Sequence, residues 1–139
     1  MERVEECISF LIGKAAQTVA RRTREKLSPH GITPPQYAVL KVLWERDGQS
    51  AAEVGARLVI DSATITGVID RLEAAALLRR QVDDGDRRIH RLFLTGQGQA
   101  LQAPLDAAMD QLNAEVAQGL GTEAPALWSA LRRLGMAGS

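Results

Sequence analysis

Charged side chains that can bind a polyanion gather in the middle of the chain. Between positions 79 and 91, five arginines stand beside three aspartates, and between 14 and 26 five bases stand beside one acid. From position 92 onward acids outnumber bases, although the whole chain carries 17 of each and has no net charge. The neutral total argues against a protein that coats nucleic acid by charge alone. The uneven placement indicates one face for a polyanion and another for a different contact.

Small hydroxyl residues follow Asp61 at the expected start of a helix. Ser62, Thr64 and Thr66 carry hydroxyls that can bond phosphates or base edges, and a threonine methyl can contact the methyl of thymine. Serine and threonine near a helix start are also ordinary caps, so Ser62 alone has a purely structural interpretation as well.

Residues arranged for catalysis are missing from the sequence. It has no nucleophile elbow, no phosphate-binding glycine loop and no histidine pair at metal spacing, because His30 and His90 fall in unrelated segments. The single cysteine, Cys7, cannot form an internal disulfide and indicates a reducing compartment. We therefore expect a protein that is not an enzyme and needs no metal or cofactor.

Length and hydrophobicity fit one globular domain. The chain has 139 residues, of which 45% are hydrophobic, enough to bury a core without disulfides or metals. Its apolar stretches are shorter than the roughly 18 residues of a membrane span, and its first residues are too acidic for a signal peptide. We expect a cytoplasmic protein with no membrane contact.

Apolar spacing and capping residues predict a series of helices. Apolar residues from Val4 to Val19 recur at helical spacing and predict a helix of about six turns that ends at 28–31. Capping boxes at 33–36 and 50–53 open two further helices, which end near 47–48 and 59–60. Asp61 and Ser62 cap the next one, so two short helices joined by a tight turn form a helix-turn-helix pattern.

After this pattern the spacing of apolar residues changes from helical to alternating and then becomes helical again. Segments 78–82 and 89–94 are short and partly alternating, and they flank an Asp-Asp-Gly-Asp tip, which predicts a β-hairpin. Helical spacing resumes after Thr95 as one long helix. Gly119, Gly121 and a Thr122 cap then separate it from a last helix.

A hairpin directly after a recognition-type helix is the winged helix-turn-helix arrangement, and four motifs make the resemblance specific. They are Ile32 to Leu40, Leu58 to Thr66, Arg71-Leu72-Glu73, and Asp86-Arg87-Arg88 ahead of Leu94-Thr95. In this order and spacing the sequence resembles the MarR family of bacterial transcription regulators over about residues 31–98.

The resemblance implies a mainly α fold with a small β-hairpin wing, in a homodimeric repressor. Residues 31–98 would form the winged helix-turn-helix lobe, and about 1–28 and 99–139 the N- and C-terminal dimerisation helices of the single domain 1–139. The long apolar stripes of the first and fifth predicted helices support a second copy independently. A monomeric helical bundle is the alternative.

The resemblance also places the DNA contacts, on a pseudo-palindromic double-stranded operator. The second helix of the motif would lie in the major groove and Arg88 in the minor groove, with Asp86 bracing the arginine. Alternatively, the hairpin tip is a solvated turn whose charges pair with one another. Arg71, Arg79 and Arg80 would touch phosphate or brace the wing, and Arg87 and Arg91 would add only to the electrostatic field. The expected DNA-binding residues are Ser62, Thr64, Thr66, Arg71, Asp86, Arg87 and Arg88.

Members of this family commonly sense a small ligand between the dimer helices and the winged lobe. The resemblance implies a phenolic or other apolar, anionic effector in a pocket lined by Arg21, His30, Tyr37 and Trp44, although each of these also has a plain core or surface interpretation. One branch senses organic hydroperoxides through a cysteine near the start of the first helix. Cys7 instead falls on the apolar stripe, which favours a buried packing residue, with the redox role as an alternative.

Two departures from the family pattern concern the recognition helix and the wing. Ala76 stands where the family commonly has glycine, and a left-handed alanine would cost about 1 to 2 kcal/mol, so we expect this helix end to be shaped differently. The acidic hairpin tip should weaken nonspecific DNA binding. A winged-helix module that contacts protein rather than DNA is the alternative function, which the neutral charge permits.

Overall fold

Seven α-helices, three single-turn 3-10 helices and one hairpin form the regular structure of the described part of the chain, residues 1–136 of a computed structural model. The last three residues of the predicted C-terminal dimerisation segment, 137–139, lie outside the described residues. The elements are α1 (Ile8–Leu27), α2 (Pro34–Glu45), α3 (Ala51–Leu58), α4 (Ser62–Ala74), β1 (Leu78–Val82), β2 (His90–Leu94), α5 (Gly96–Ala100), α6 (Gln102–Leu120) and α7 (Ala124–Met136). The mainly α fold with a small hairpin is confirmed. Across residues 1–136, no helix combines the length and apolar character that crossing a membrane requires.

The predicted starts of the first two helices of the winged lobe are present. Thr33 accepts a hydrogen bond from the Gln36 backbone N–H, and the Gln36 side chain accepts one from Thr33 N–H at 2.9 Å. Ser50 likewise accepts from the Glu53 N–H at 3.1 Å, but the Glu53 carboxylate pairs with Arg46, so only half of the second box forms. These local bonds fix where α2 and α3 begin.

The C-terminal helices differ from the sequence prediction in two places. The long helix expected after Thr95 is two helices, α5 and α6, interrupted at Leu101. Pro104 lies one turn later and has no N–H to donate to the Ala100 carbonyl, which explains the break. Thr122 lies in a 3-10 turn, Gly121–Glu123, rather than at the cap of α7.

A third segment completes the small sheet. Strands β1 and β2 are antiparallel, with Leu78 opposite Leu94 and Val82 opposite His90. The chain just before α3 pairs with β2, because Gly48 N–H donates to the Leu92 carbonyl at 2.9 Å and Leu92 N–H donates to the Gln49 carbonyl at 2.8 Å. An isolated hairpin is marginally stable in water, so this pairing holds the hairpin against the helices.

One hydrophobic core joins α4 and the hairpin to the helices that support them. Its fully buried side chains come from the end of α1, from α2, α4, both strands and α6, and include Leu27, Leu40, Leu43, Ile69, Leu72, Leu78, Leu92 and Leu105. The apolar residues near the chain ends behave differently. Val4, Ile8, Leu11, Leu131 and Leu134 are exposed in the single chain. The core therefore stabilises the winged lobe, whereas the outer faces of α1 and α7 are uncovered.

The expectation for Ala76 was wrong. Ala76 adopts φ 62°, and the helix end has the usual glycine-type geometry, with Leu77 N–H bonded to the Leu72 carbonyl and Ala76 N–H to the Glu73 carbonyl, both at 3.0 Å. Thr95 holds this turn in place, because its hydroxyl donates to the Ala76 carbonyl at 2.6 Å and its N–H to the Leu77 carbonyl at 3.1 Å. Tertiary contacts thus impose the left-handed conformation on an alanine.

We expect Ala76→Gly to stabilise the protein by about 0.5 to 1 kcal/mol, because glycine adopts positive φ without steric cost and the exposed methyl buries nothing. Ala75→Gly is the matched control: Ala75 has φ −82°, so the change should only destabilise. Urea unfolding at a single protein concentration measures both variants. An Ala76→Gly variant no more stable than the wild type would contradict the interpretation that the left-handed conformation of Ala76 is strained.

Candidate nucleic-acid interface

Helix α4 buries one side and exposes the other. Ile65, Val68, Ile69 and Leu72 face the core, and the predicted residues Ser62, Thr64, Thr66 and Arg71 are all exposed. The turn from α3 closes through a hydrogen bond from Ile60 N–H to the Gly55 carbonyl at 3.0 Å. Helix α4 therefore presents a polar face to solvent while its apolar face is packed on the core.

Two of the hydroxyls on this face make internal hydrogen bonds. The Thr64 hydroxyl donates to Asp61 Oδ2 at 2.9 Å, while Asp61 Oδ1 accepts the Thr64 backbone N–H at 2.8 Å. These bonds lower the pKa of the exposed Asp61 carboxyl. The Thr66 hydroxyl donates to the Ser62 carbonyl at 2.7 Å. The Ser62 hydroxyl has no partner within residues 1–136.

Arg71 is the uncommitted cation of α4. Its guanidinium lies over Gly67, where a Cβ would be 3.8 Å from Nη1, and it forms no ion pair with any described residue. The absence of a side chain at position 67 leaves the middle of the exposed face flat. Arg71 is therefore able to reach a ligand that approaches this face.

Asp83 organises the hairpin tip. Its Oδ2 accepts the backbone N–H groups of Gly85 and Asp86, both at 3.0 Å, and its Oδ1 accepts Arg91 Nε at 2.6 Å. The Arg91 side chain lowers the pKa of Asp83 and also donates to the Gly48 carbonyl at 3.2 Å. The sequence prediction gave Arg91 no structural role, but it links the tip to the segment before α3.

Arg88 and Asp86 form the predicted brace. Arg88 donates to both carboxylate oxygens, from Nε to Oδ1 at 3.1 Å and from Nη2 to Oδ2 at 3.0 Å, which lowers the pKa of Asp86. The Arg88 side chain is 90% exposed and that of Asp86 33%. The same contact also fits the alternative of a tip whose charges pair with one another. Arg87 is exposed beside Asp83 and Asp84, with no ion-pair partner in the described chain.

The arginines of β1 brace the wing. Arg80 donates to Asp70 at 2.5 Å and to Glu73 at 2.6 Å, which ties β1 to the C-terminal half of α4. Arg79 lies over the ring of Phe93, with the guanidinium carbon 4.8 Å from the ring centroid. Of the two predicted roles, bracing is the one that these contacts support.

The residues predicted to line a ligand pocket do not all lie together. Tyr37 and Trp44 pack edge to face at 5.9 Å, and their polar ends donate to Asp106 at 2.9 Å and to the Gly98 carbonyl at 3.1 Å. Burial raises the pKa of Tyr37, and the bond to Asp106 adds to the effect. Arg21 and His30 are exposed on α1 and on the turn after it, and neither takes part in these contacts.

An open groove runs beside that turn, between α1 and the start of α2. It has a volume of about 510 Å³ and mostly apolar walls, with one cation, and is lined by Ala20, Arg24, Ser28, Ile32, Thr33, Pro34 and Pro35. Apolar walls with a convergent cation are suited to an apolar anion. None of the four predicted pocket residues lines this groove.

Cys7 lies at the N-cap of α1 and is half-buried in the single chain. Its predicted stripe neighbours Val4, Ile8 and Leu11 are exposed. The full burial expected for Cys7 is therefore not reached within a single chain.

Known proteins share both the sequence pattern and the fold. The sequence model of the MarR family matches residues 32–90. The HTH-type transcriptional regulator TtmR of Methylorubrum extorquens is 40% identical over 76% of this chain. The match covers 54% of TtmR, so this chain spans about half the length of that relative. A probable transcriptional regulator from Pseudomonas aeruginosa is 31% identical with a TM-score of 0.89, over 95% of this chain and 99% of that one. Bordetella bronchiseptica BpsR, whose DNA binding is regulated by 6-hydroxynicotinic acid, is 28% identical with a TM-score of 0.90 over 97% of both chains.

We expect Asp83→Ala to loosen the hairpin tip, because the amides of Gly85 and Asp86 lose their acceptor. Hydrogen exchange at these two amides should accelerate roughly five- to tenfold, with little change in the core helices. The neighbouring carboxylate Asp84 makes no hydrogen bond or ion pair in residues 1–136, so Asp84→Ala is the matched control. Equal exchange in both variants, measured by NMR, would show that Asp83 does not organise the tip.

Proposed function

The chain belongs to the MarR family, and we propose that it binds specific sequences in double-stranded DNA and regulates transcription, as a repressor released by a small ligand. One observation carries the proposal: the exposed polar face of α4 stands beside a hairpin whose tip presents an exposed Arg88 that is oriented by two hydrogen bonds to Asp86. A helix fits the major groove, and an arginine fits a narrow minor groove. Similarity to transcription regulators supports this function over an enzymatic one. The protein would act in the cytoplasm, where a bacterial regulator meets its operator.

The two DNA-reading elements would act by different physics. On α4, Ser62, Thr64 and Thr66 offer uncharged contacts, and Arg71 offers a free cation. At the hairpin, Arg88 brings charge to the minor groove while Asp86 fixes the orientation of its fork. Arg87 adds a cation beside it. The braced arginines Arg79, Arg80 and Arg91 would shape the wing rather than touch DNA.

A homodimer would present two such lobes to a pseudo-palindromic operator. The exposed apolar residues of α1 and α7 lie outside the winged lobe, and a second copy of the chain is the simplest cover for them. Two-fold symmetry then matches two half-sites one or more helical turns apart. A second copy would also cover the stripe that includes Cys7.

A small effector would enter the region between the dimer helices and the winged lobe. The groove beside Arg24 has apolar walls and one cation, which favours a phenolic or other apolar, anionic compound. The ligand reported for BpsR, 6-hydroxynicotinic acid, is a small anionic ring compound. Arg21 and His30 flank this groove in sequence, whereas Tyr37 and Trp44 would transmit its occupation through α2 to Asp106 and Gly98.

Two alternatives remain distinct from this function. A winged-helix module for protein contact is favoured by the internal pairing of most wing arginines, and it predicts no preference for any DNA. A repressor that senses peroxide through Cys7 predicts that peroxide releases the wild-type chain, but not Cys7→Ser, from DNA. Binding to the DNA upstream of its own gene, compared with a scrambled duplex, separates the first alternative from the proposed function.

We expect the wild-type chain to be a dimer at micromolar concentration, since apolar interfaces of this kind leave little folded monomer. Replacing both Leu131 and Leu134 with Glu should give monomers that no longer bind the operator, because charges would enter the interface. Ser129→Glu is the matched control, since helical spacing places Ser129 on the opposite side of α7. Light scattering that reports a wild-type monomer would contradict the dimer.

We expect Arg88→Ala to weaken operator binding and to reduce the slope of log affinity against log salt by about one unit per half-site, because a cation leaves the minor groove. Arg88→Lys keeps the charge but loses the two-point bond to Asp86, so it should keep the slope. The loss should be largest where the wing meets A·T pairs. Wild-type affinity and slope in Arg88→Ala, on both operator and scrambled duplexes, would favour the protein-contact alternative.

A further inference from the structure

Hydrogen bonds in the first turn of α4 and its cap fix the direction of two hydroxyl hydrogens, those of Thr64 and Thr66. A hydroxyl has one hydrogen to donate and two lone pairs to accept with. Thr64 and Asp61 lie 2.9 Å apart between Oγ1 and Oδ2, and a carboxylate oxygen can only accept, so the hydrogen belongs to the threonine. The backbone carbonyl of Ser62, 2.7 Å from Thr66 Oγ1, is also only an acceptor. Both threonine hydrogens are therefore donated to acceptors within the chain.

Committed hydrogens limit what these exposed side chains offer to a ligand. Each threonine keeps its lone pairs and its methyl, but neither has a hydrogen free for an outside acceptor. Phosphate oxygens, guanine O6 and N7, and thymine O4 are all acceptors, whereas adenine N6 and cytosine N4 carry hydrogens. The Ser62 hydroxyl, which has no partner in the described chain, is free to donate to a phosphate.

We propose that Thr64 and Thr66 read DNA as hydrogen-bond acceptors only, so that α4 selects an adenine or a cytosine at each base that they face. This inference rests on the proposed DNA-binding function and specifies its chemistry. The carboxylate of Asp61 sets the polarity of Thr64 without touching DNA, which makes Asp61 a positioning residue. Arg71 complements the two threonines, since its guanidinium only donates.

The helix surface around the threonines allows this contact. Helical spacing places Ala63 and Gly67 between Thr64 and Thr66 on the outer face, and a Cβ at Gly67 would meet only the Arg71 side chain. Small residues at the centre let the helix approach the base edges closely. The pKa of Asp61 is lowered by its bonds from Thr64, so the carboxylate remains an acceptor at neutral pH.

The first test removes amines from the DNA. The 139-residue chain selects its site from a duplex library with a randomised core. Each adenine or cytosine of the half-site is then replaced by purine or 2-pyrimidinone, which lack the exocyclic amine. We expect the wild type to lose about tenfold in affinity at one or two positions per half-site. 7-Deazaadenine at the same positions keeps the amine and should bind normally.

Threonine-to-valine variants show which of these base positions each threonine contacts. Thr64→Val and Thr66→Val keep the shape and the methyl but remove the acceptor, so each should bind amine-containing and amine-free duplexes equally at its own position. Thr23→Val is the matched control, because the Thr23 hydroxyl makes the same type of bond, to the Val19 carbonyl at 2.7 Å, on α1. It should discriminate as the wild type does. Thermal unfolding confirms that each variant is folded.

The sharpest test reverses the polarity of Thr64. In Asp61→Asn the side-chain oxygen still caps the Thr64 N–H, and the amide nitrogen takes the place of Oδ2 and donates to the Thr64 hydroxyl. The threonine hydrogen is then free to point outward. We expect a renewed selection with Asp61→Asn to replace adenine or cytosine by guanine or thymine at the Thr64 position, and Asp61→Asn combined with Thr64→Val to lose the preference.

The outcomes separate this inference from the function on which it rests. If the wild type enriches no sequence and binds selected and scrambled duplexes equally, both the function and the inference fail. If it enriches a sequence, but amine removal has no effect or affects the threonine-to-valine variants equally, the function stands and the inference is overturned. An unchanged base preference in Asp61→Asn would also overturn the role of Asp61.

Discussion

The close approach of Gly98 to the end of α4 is the constraint on which the arrangement of the lobes depends. A Cβ at position 98 would overlap the Leu77 carbonyl oxygen, so only glycine allows α5 to pack there. Thr95 bonds to the Ala76 and Leu77 carbonyls at the same junction, and Trp44 donates to the Gly98 carbonyl. Helix α4, the hairpin, α2 and the path into α6 therefore meet at one junction, which the Thr95 hydroxyl and the Trp44 indole hold together.

Electrostatic pairing gives the wing its shape at the expense of free charge. Arg80 and Arg91 join β1 and β2 to α4 and to the hairpin tip, and Arg88 is held by Asp86. A chain with no net charge and most wing cations paired attracts DNA weakly at a distance. Affinity would then depend on contacts that form only when the lobe and the groove fit, which favours specific over nonspecific binding.

Local sequence signals predicted the starts of α2, α3 and α4 and the hairpin, because the Thr33 box, the Ser50 cap and the Asp61 cap involve residues three apart. The contacts that sequence reasoning missed join distant segments. Arg91 bonds Asp83 and the Gly48 carbonyl, and nothing near Gly98 in the sequence marks its approach to Leu77. The break at Leu101 was the exception, since Pro104 was a local signal for it. The fold was thus more predictable than the wing's internal bonding.

Both non-glycine residues with positive φ in the described chain flank α4, with Val59 before it and Ala76 after it. Such conformations cost free energy and persist only where surrounding contacts over-determine them. The Asp61 cap therefore fixes where α4 begins, and core packing with the Thr95 bonds holds the turn at which it ends. Because Ser62, Thr64, Thr66 and Arg71 are exposed and contribute nothing to the core, the DNA sequence that we propose they read would change by substitution while the position of the helix does not.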